Sequence, residues 1–377
     1  MQGSRPCNRC LLMPPLSLMV KPASGSCNLR CSYCFYIDEM QHRETASHGF
    51  MTRDTMEQTI RRALVYAEGS VSFMFQGGEP SLMEAGFYRD WLRLVARYNN
   101  RRLPVSYALQ TNGFALSDDL IAILKEGDFL VGVSLDGTRD LHDNRRRTVA
   151  GAPTHDQVLQ NIQRITSAGI PYNILCVVDD AVAARPRDVY HALRPHGYLQ
   201  FIPCMTALAE GAVPALDPLA YGRFLVALFD CYEQDLRAGR YVSINLFDNL
   251  IRMAKGLPPA ACNMQGHCSP NYVVEAGGQV YPCDFYCLDP WLLGNVHTDS
   301  FYAIAASPLM QRFPAEGREH PEACRACTAY ALCRTGCKRD QVSGTNRLCA
   351  AFRHFHRERG DALTALAAVP VTALPRQ

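Results

Sequence analysis

Short apolar segments alternate with amphipathic helical segments six times along this chain, and that alternation restricts the fold more than any other feature. Candidate strands are Leu16–Lys21, Val71–Phe75, Val105–Gln110, Phe129–Leu135, Tyr172–Val178 and Leu199–Ile202. Most are rich in β-branched or aromatic residues, and each runs closely into Gly, Pro, Asn or Asp. Between them, Met56, Ile60, Leu64 and Ala67 recur near helical spacing behind Thr52, a candidate N-cap. Phe87, Trp91, Leu94, Val95 and Tyr98 repeat the pattern, as do Val158, Leu159, Ile162 and Ile165. Strand and helix taken strictly in turn imply a parallel sheet with helices packed outside it. Six such units make either an open sheet or an incomplete barrel, a partial (β/α)6 barrel of the TIM type. The barrel is the preferred reading.

In folds of this kind the loops that follow the strands gather at one end and build the site. The loop after the first strand carries Cys27, Cys31 and Cys34 at the spacing C-x3-C-x2-C. Three thiolates on one short loop hold three corners of an iron–sulfur cube and leave its fourth iron open to a small molecule. Gln76-Gly77-Gly78-Glu79-Pro80 follows the second strand, Thr111-Asn112-Gly113 the third and Asp136-Gly137 the fourth. The Gly77-Gly78 pair lets backbone approach a ligand without a Cβ in the way. A glycine after one strand is usually only a turn; four such loops together describe a pocket.

Seventeen cysteines in 377 residues would suit a disulfide framework in a small secreted protein. This chain has ample core, and its apolar stretch Leu11–Val20 is short, interrupted by Pro14 and Pro15, and without a small-residue cleavage site. No segment approaches bilayer length, so no membrane role is expected. A net charge of +2 is too small to argue for nucleic acid. The expected compartment is a reducing cytoplasm, where clustered cysteines bind metal or do redox work. Residues 1–13, with Cys7 and Cys10, read as a flexible lead-in.

Nine further cysteines lie between Cys262 and Cys349. Taken alone, Cys324, Cys327, Cys333 and Cys337 suit a structural zinc about as well as an iron–sulfur cluster. If eight of the nine are cluster ligands, three plus eight gives eleven, one short of the twelve that three four-iron clusters need. The missing ligand is what a substrate or cofactor would supply.

The C-x3-C-x2-C loop, with Tyr33 between its second and third cysteines, resembles the radical S-adenosylmethionine (SAM) superfamily. The later run, through Val280-Tyr281-Pro282-Cys283-Asp284-Phe285-Tyr286 to Cys349, resembles a SPASM domain with two auxiliary clusters. Within that group the stretch from about Pro14 to Phe352 is similar to the anaerobic sulfatase-maturating enzymes, through Phe75–Pro80, Leu109–Gly113, Asn173–Val178 and Tyr281–Tyr286. The resemblance implies oxidation of a sulfatase cysteine or serine to Cα-formylglycine by a 5′-deoxyadenosyl radical made from S-adenosylmethionine. It implies three [4Fe-4S] clusters: Cys27, Cys31 and Cys34 on the first; Cys262, Cys268, Cys283 and Cys337 on one auxiliary cluster; Cys324, Cys327, Cys333 and Cys349 on the other.

Chemistry then assigns roles within the resemblance. Taking two electrons and two protons from a Cβ–XH unit needs a hydrogen-atom abstractor, a base and an electron acceptor. Asp284, beside Cys283, is the candidate base. Tyr33, Gly78, Ser134, Arg146 and Met205 match positions that contact S-adenosylmethionine, and Glu79 is expected to meet its ammonium. Met205 would pack on adenine. Tyr36 and Gln76 match polar residues on the substrate side. The implied partners are a sulfatase polypeptide bearing Cys/Ser-x-Pro-x-Arg and a reductant such as flavodoxin or ferredoxin.

Cys176 and Cys231 read as core residues. Cys204 is a candidate for the cofactor pocket wall, and Cys287 a rival cluster ligand. Residues 14–240 are expected to form the barrel and 241–377 the auxiliary-cluster domain. Within the latter, a helix is expected over Asp248–Gly256 and a fading one from Ala362. A thioether-forming SPASM maturase is the alternative enzyme; such maturases commonly carry an N-terminal leader-recognition domain, for which no room is expected before Leu16. An iron–sulfur electron carrier or zinc scaffold would need neither the converging loops nor an open iron.

Overall fold

The computed structural model describes residues 15–368 apart from 210, 317–319 and 343. The expected lead-in, with Cys7 and Cys10, lies outside the described residues.

All six expected strands form: β1 (Leu16–Lys21), β2 (Val71–Phe75), β3 (Val105–Thr111), β4 (Phe129–Ser134), β5 (Tyr172–Val178) and β6 (Tyr198–Pro203). They pair in chain order and all in parallel. An order without reversal suits a partial barrel, whereas a doubly wound sheet switches direction part-way across. Alternation decides which side chains point at the helices: Val71, Phe73 and Phe75 of β2 are buried between half-buried neighbours. Phe75 meets Trp91 edge-on at 4.8 Å and Tyr88 at 5.2 Å, so helix Glu84–Tyr98 is seated on the sheet by aromatic contact. Thr52 caps helix Arg53–Tyr66 by accepting from the Thr55 N–H, and that helix buries Met56, Ile60 and Leu64.

Four short strands extend the sheet. β7 (Ser243–Ile244) lies beside β6; β8 (Tyr272–Glu275) runs parallel beside β1; β9 (Gln279–Tyr281) and β10 (Gly294–Asn295) follow antiparallel. Chain from beyond residue 240 thus covers both edges of the six-stranded sheet, which would otherwise expose unpaired N–H and C=O groups. The β1–β8 register sets Lys21 against Glu275.

Helix Pro218–Arg237 packs on the terminal helix Cys349–Ala368. A Cβ on Gly222 would stand 3.1 Å from Ala351 Cα, so glycine allows the close approach. Phe229, Phe247 and Phe355 share one aromatic cluster there, with centroids 5.1–5.7 Å apart. The helix expected over Asp248–Gly256 begins earlier, at Asn245. From Ala362, where a fading helix was expected, the chain stays helical to Ala368, with Leu363 buried. No described helix is long and apolar enough to cross a membrane.

Candidate active site

The three-cysteine loop leaves β1 and ends in helix Phe35–Gln41, with Cys34 as its N-cap residue. Backbone bonds from the Arg30 and Ser32 N–H groups to the Arg147 and Arg145 carbonyls (2.8 and 3.1 Å) fix it against the chain after β4. Gly78 lies directly beneath. Its φ is +26°, and a Cβ there would fall 2.1 Å from the Ser26 carbonyl oxygen. Glycine is therefore required for two loops to touch, and the Glu79 N–H donates to that same carbonyl at 2.8 Å.

Glu79, expected at the ammonium of S-adenosylmethionine, also ties the protein's own loops together. Its carboxylate is 1 % exposed and accepts from the Ser81 N–H (2.9 Å), the Thr111 hydroxyl (2.7 Å) and the Asn112 N–H (2.7 Å). It fastens the loop after β2 to the loop after β3. Asn112 extends the tie by donating to Asn28 Oδ1 at 2.8 Å, beside Cys27.

Asp136 organises the far side, a role its place in a turn did not reveal. One carboxylate oxygen accepts from the Val177 N–H; the other accepts from the Tyr33 hydroxyl and from Arg146 Nε at 2.9 Å. Arg146 reaches Cys31 Sγ at 3.8 Å. Burial opposes its charge, but Asp136 and its other neighbours hold the guanidinium well above its ordinary pKa. Beneath it, His142 Nδ1 accepts from the Asp136 N–H and Nε2 pairs with Thr154 Oγ1, which donates to the Arg146 carbonyl. Burial lowers His142 to about 4, so it stays neutral and holds this arrangement at ordinary pH.

Ser134 accepts from Gln110 Nε2 at 3.3 Å at the end of β4. Met205 lies on the loop after β6, which the cysteine-rich region clamps: Arg347 donates to the Cys204 carbonyl (2.8 Å) and Arg339 to the Thr206 carbonyl (2.9 Å). Tyr33, Gly78, Ser134, Arg146 and Met205 all stand at or beyond strand C-terminal ends, the rim where such folds build sites.

A second polar group forms where the two halves of the chain meet. Asp284 opens the short turn Asp284–Tyr286 after β9 and is 6 % exposed. Its Oδ2 accepts from the Tyr36 hydroxyl at 2.8 Å and from Gln76 Nε2 at 3.3 Å, while Gln76 also donates to Tyr36 at 2.7 Å. Asp284, Tyr36 and Gln76, chosen from three distant stretches of sequence, are mutual neighbours. Lys21 Nζ, which sequence reading missed, ion-pairs with Asp284 Oδ1 at 3.0 Å. A lysine ending an apolar strand carries no local signal; its neighbours come from elsewhere in the chain.

The cysteines fall into separate groups of electrostatically interacting thiols. Cys27, Cys31 and Cys34 form one; Cys262, Cys268, Cys283 and Cys337 a second; Cys324, Cys327, Cys333 and Cys349 a third. Cys287 joins none of them. It is wholly buried, and its sulfur accepts from Lys21 at 3.2 Å. Burial pushes the Cys27 and Cys337 thiols up to about 12 and the Cys333 thiol to about 11. Iron bound at each set would supply the positive charge that turns its raised thiols into thiolates.

The Radical SAM superfamily pattern matches residues 22–182, and the SPASM iron–sulfur cluster-binding domain matches residues 266–328. The chain is 38 % identical to a cysteine-type anaerobic sulfatase-maturating enzyme of Clostridium novyi, over 94 % of this chain and 98 % of the relative. A serine-type enzyme of Bacteroides thetaiotaomicron is 29 % identical, over 90 % and 88 %. Among solved structures, native anSMEcpe with bound AdoMet and the Cp18Cys peptide superposes with a TM-score of 0.88 at 34 % identity, over 94 % of this chain and 99 % of that one. Streptococcus suis SuiB with its precursor peptide SuiA, at 15 % identity and TM-score 0.63, shares the fold.

Proposed function

Because the chain belongs to the anaerobic sulfatase-maturating enzymes, a radical SAM family with a SPASM domain, we propose that it oxidises a sulfatase cysteine to Cα-formylglycine. The observation that carries the reading is the meeting of Asp284 with Tyr36 and Gln76 at the rim that bears the first cysteine loop. When bound, the iron–sulfur clusters and S-adenosylmethionine supply the radical that removes a Cβ hydrogen and the sink that takes the second electron.

The chain's own residues supply the rest. Cys27, Cys31 and Cys34 hold the first cluster, and the two groups of four hold the auxiliary ones. Arg146, Tyr33, Gly78, Ser134 and Met205 line the cofactor's side. Asp284 takes the thiol proton, with Tyr36 and Gln76 fixing the carboxylate oxygen that receives it. Loss of the Cβ hydrogen, the thiol proton and one further electron leaves a thioaldehyde. Water converts that to the aldehyde with release of hydrogen sulfide.

The cysteine preference is supported by the relatives: cysteine-type enzymes are 35–38 % identical, serine-type enzymes 29–30 %. A sulfatase segment bearing Cys-x-Pro-x-Arg is the proposed substrate, a flavodoxin or ferredoxin the proposed reductant and the cytoplasm the proposed compartment. Anaerobically reconstituted protein given S-adenosylmethionine, dithionite and such a peptide should yield formylglycine with 5′-deoxyadenosine. A thioether-bridged peptide in its place would transfer the reading to the alternative maturase chemistry.

A further inference from the structure

Lys21 is an ammonium 1 % exposed at the end of an apolar strand. Unpaired, so deep a charge would be prohibitively costly, and its surroundings show what keeps it there. The stem passes over Gly77, where a Cβ would stand 2.6 Å from Lys21 Cγ. The ammonium then enters a closed chamber. It donates to Glu39 Oε2 at 3.3 Å and to Cys287 Sγ at 3.2 Å, and the Tyr36 ring lies 4.5 Å to one side. These contacts anchor it from behind and direct its charge at Asp284 Oδ1, 3.0 Å away. Glu275 and Arg43 close the chamber with their own ion pair at 2.7 Å. The chamber thus holds three carboxylates (Asp284, Glu39, Glu275) against two cations (Lys21, Arg43), and Lys21 alone of the two pairs with Asp284.

We propose that Lys21, anchored by Glu39, is a positioning residue for the oxidation: by holding Asp284 Oδ1 it keeps Oδ2 turned to Tyr36, Gln76 and the substrate. This rests on the reading of Asp284 as the base. A carboxylate on a three-residue turn has a free torsion about its terminal bond, and Tyr36 and Gln76 restrain only one of its oxygens. The lysine restrains the other from the end of a rigid strand. Glu39 in turn keeps the ammonium from swinging, since it sits on the helix that also presents Tyr36.

The test compares three forms of the cluster-loaded full chain: Lys21→Met, the paired Lys21→Met/Glu39→Leu, and Asp284→Asn. The paired form removes one positive and one negative charge together, so it keeps the chamber's balance, which the single variant upsets at the expense of folding. The expected result is a fall of ten-fold or more in formylglycine formed per 5′-deoxyadenosine in the paired form, carried by kcat, with peptide KM within about three-fold of the parent. Its crystal structure should show the Asp284 carboxylate turned away from Tyr36. Parent-like yield per 5′-deoxyadenosine, with Asp284 still facing Tyr36, would overturn the proposal. If Asp284→Asn also kept full yield, the reading of the base would fall as well; if it alone lost product, only the role of Lys21 would fall.

Discussion

At the residue scale the chemistry depends on the few side chains that touch Asp284. Tyr36, Gln76 and Lys21 are its polar neighbours among the described residues. Removing a positioned base costs roughly 10²- to 10⁴-fold, so Asp284→Asn should lower formylglycine per 5′-deoxyadenosine by at least about 100-fold, read by mass spectrometry of both products. Glu39 gives a pH prediction. Burial raises its carboxyl to about 7, against the pull of Lys21, while an unfolded chain would ionise it near the ordinary value of 4.5. Between those values the folded form holds a proton that the unfolded form has lost, so Glu39's contribution makes stability fall as pH rises from about 4.5 to 7. Below that window the contribution is constant. Denaturant midpoints of Glu39→Gln, measured anaerobically at pH 5 and pH 8, should therefore decline less with pH than the parent's.

Asp136 and Lys21 mark what sequence could not supply at this scale. Tyr36, Gln76, Arg146 and Asp284 stand in or beside motifs and were readable from them. Asp136 and Lys21 act through partners 103 and 266 positions away at the furthest (Tyr33 and Cys287), and nothing local distinguishes either from a turn aspartate or a strand-end lysine.

At the scale of elements, loop-to-loop contact matters more than any one strand. Gly78 is the tightest point: alanine would place a Cβ against the Ser26 carbonyl at 2.1 Å, in a backbone region that glycine favours. Gly78→Ala should force the β2 loop away from the cysteine loop. Its expected effect is a reconstituted protein that lacks the first cluster's iron and has a melting temperature several degrees below the parent's. Normal iron content with a parent-like melting temperature would contradict that. The six parallel strands were legible because each is a short, mostly apolar run with turn residues behind it. β8, β9 and β10 were not. At four, three and two residues they are too short to show a period, and β8 is fixed by pairing with β9 and with β1, the latter some 250 residues earlier. The start of helix Asn245–Ala254 was misplaced because apolar Leu246 and Phe247 read equally well as strand.

At the scale of the whole molecule, the cysteine-rich region extends the six-stranded sheet at both edges rather than hanging from it. It covers β1 with β8, clamps the β6 loop through Arg339 and Arg347, and brings Asp284 to Tyr36 and Gln76. The three thiol groups predict three clusters that are lost separately, each holding four irons. Cys283→Ala and Cys324→Ala should each bind about eight irons per chain where the parent binds about twelve. Cys283→Ala should also lose product more completely, since Cys283 precedes Asp284 in the chain. Cys287→Ala, outside all three groups, should keep the parent's iron.

The most direct measurement follows the hydrogen. A Cys-x-Pro-x-Arg peptide carrying deuterium on the cysteine Cβ should pass one deuterium into 5′-deoxyadenosine as formylglycine appears, in comparable amounts. Formylglycine without label in 5′-deoxyadenosine, or labelled 5′-deoxyadenosine with the peptide's sulfur still in place after full turnover, would contradict the account.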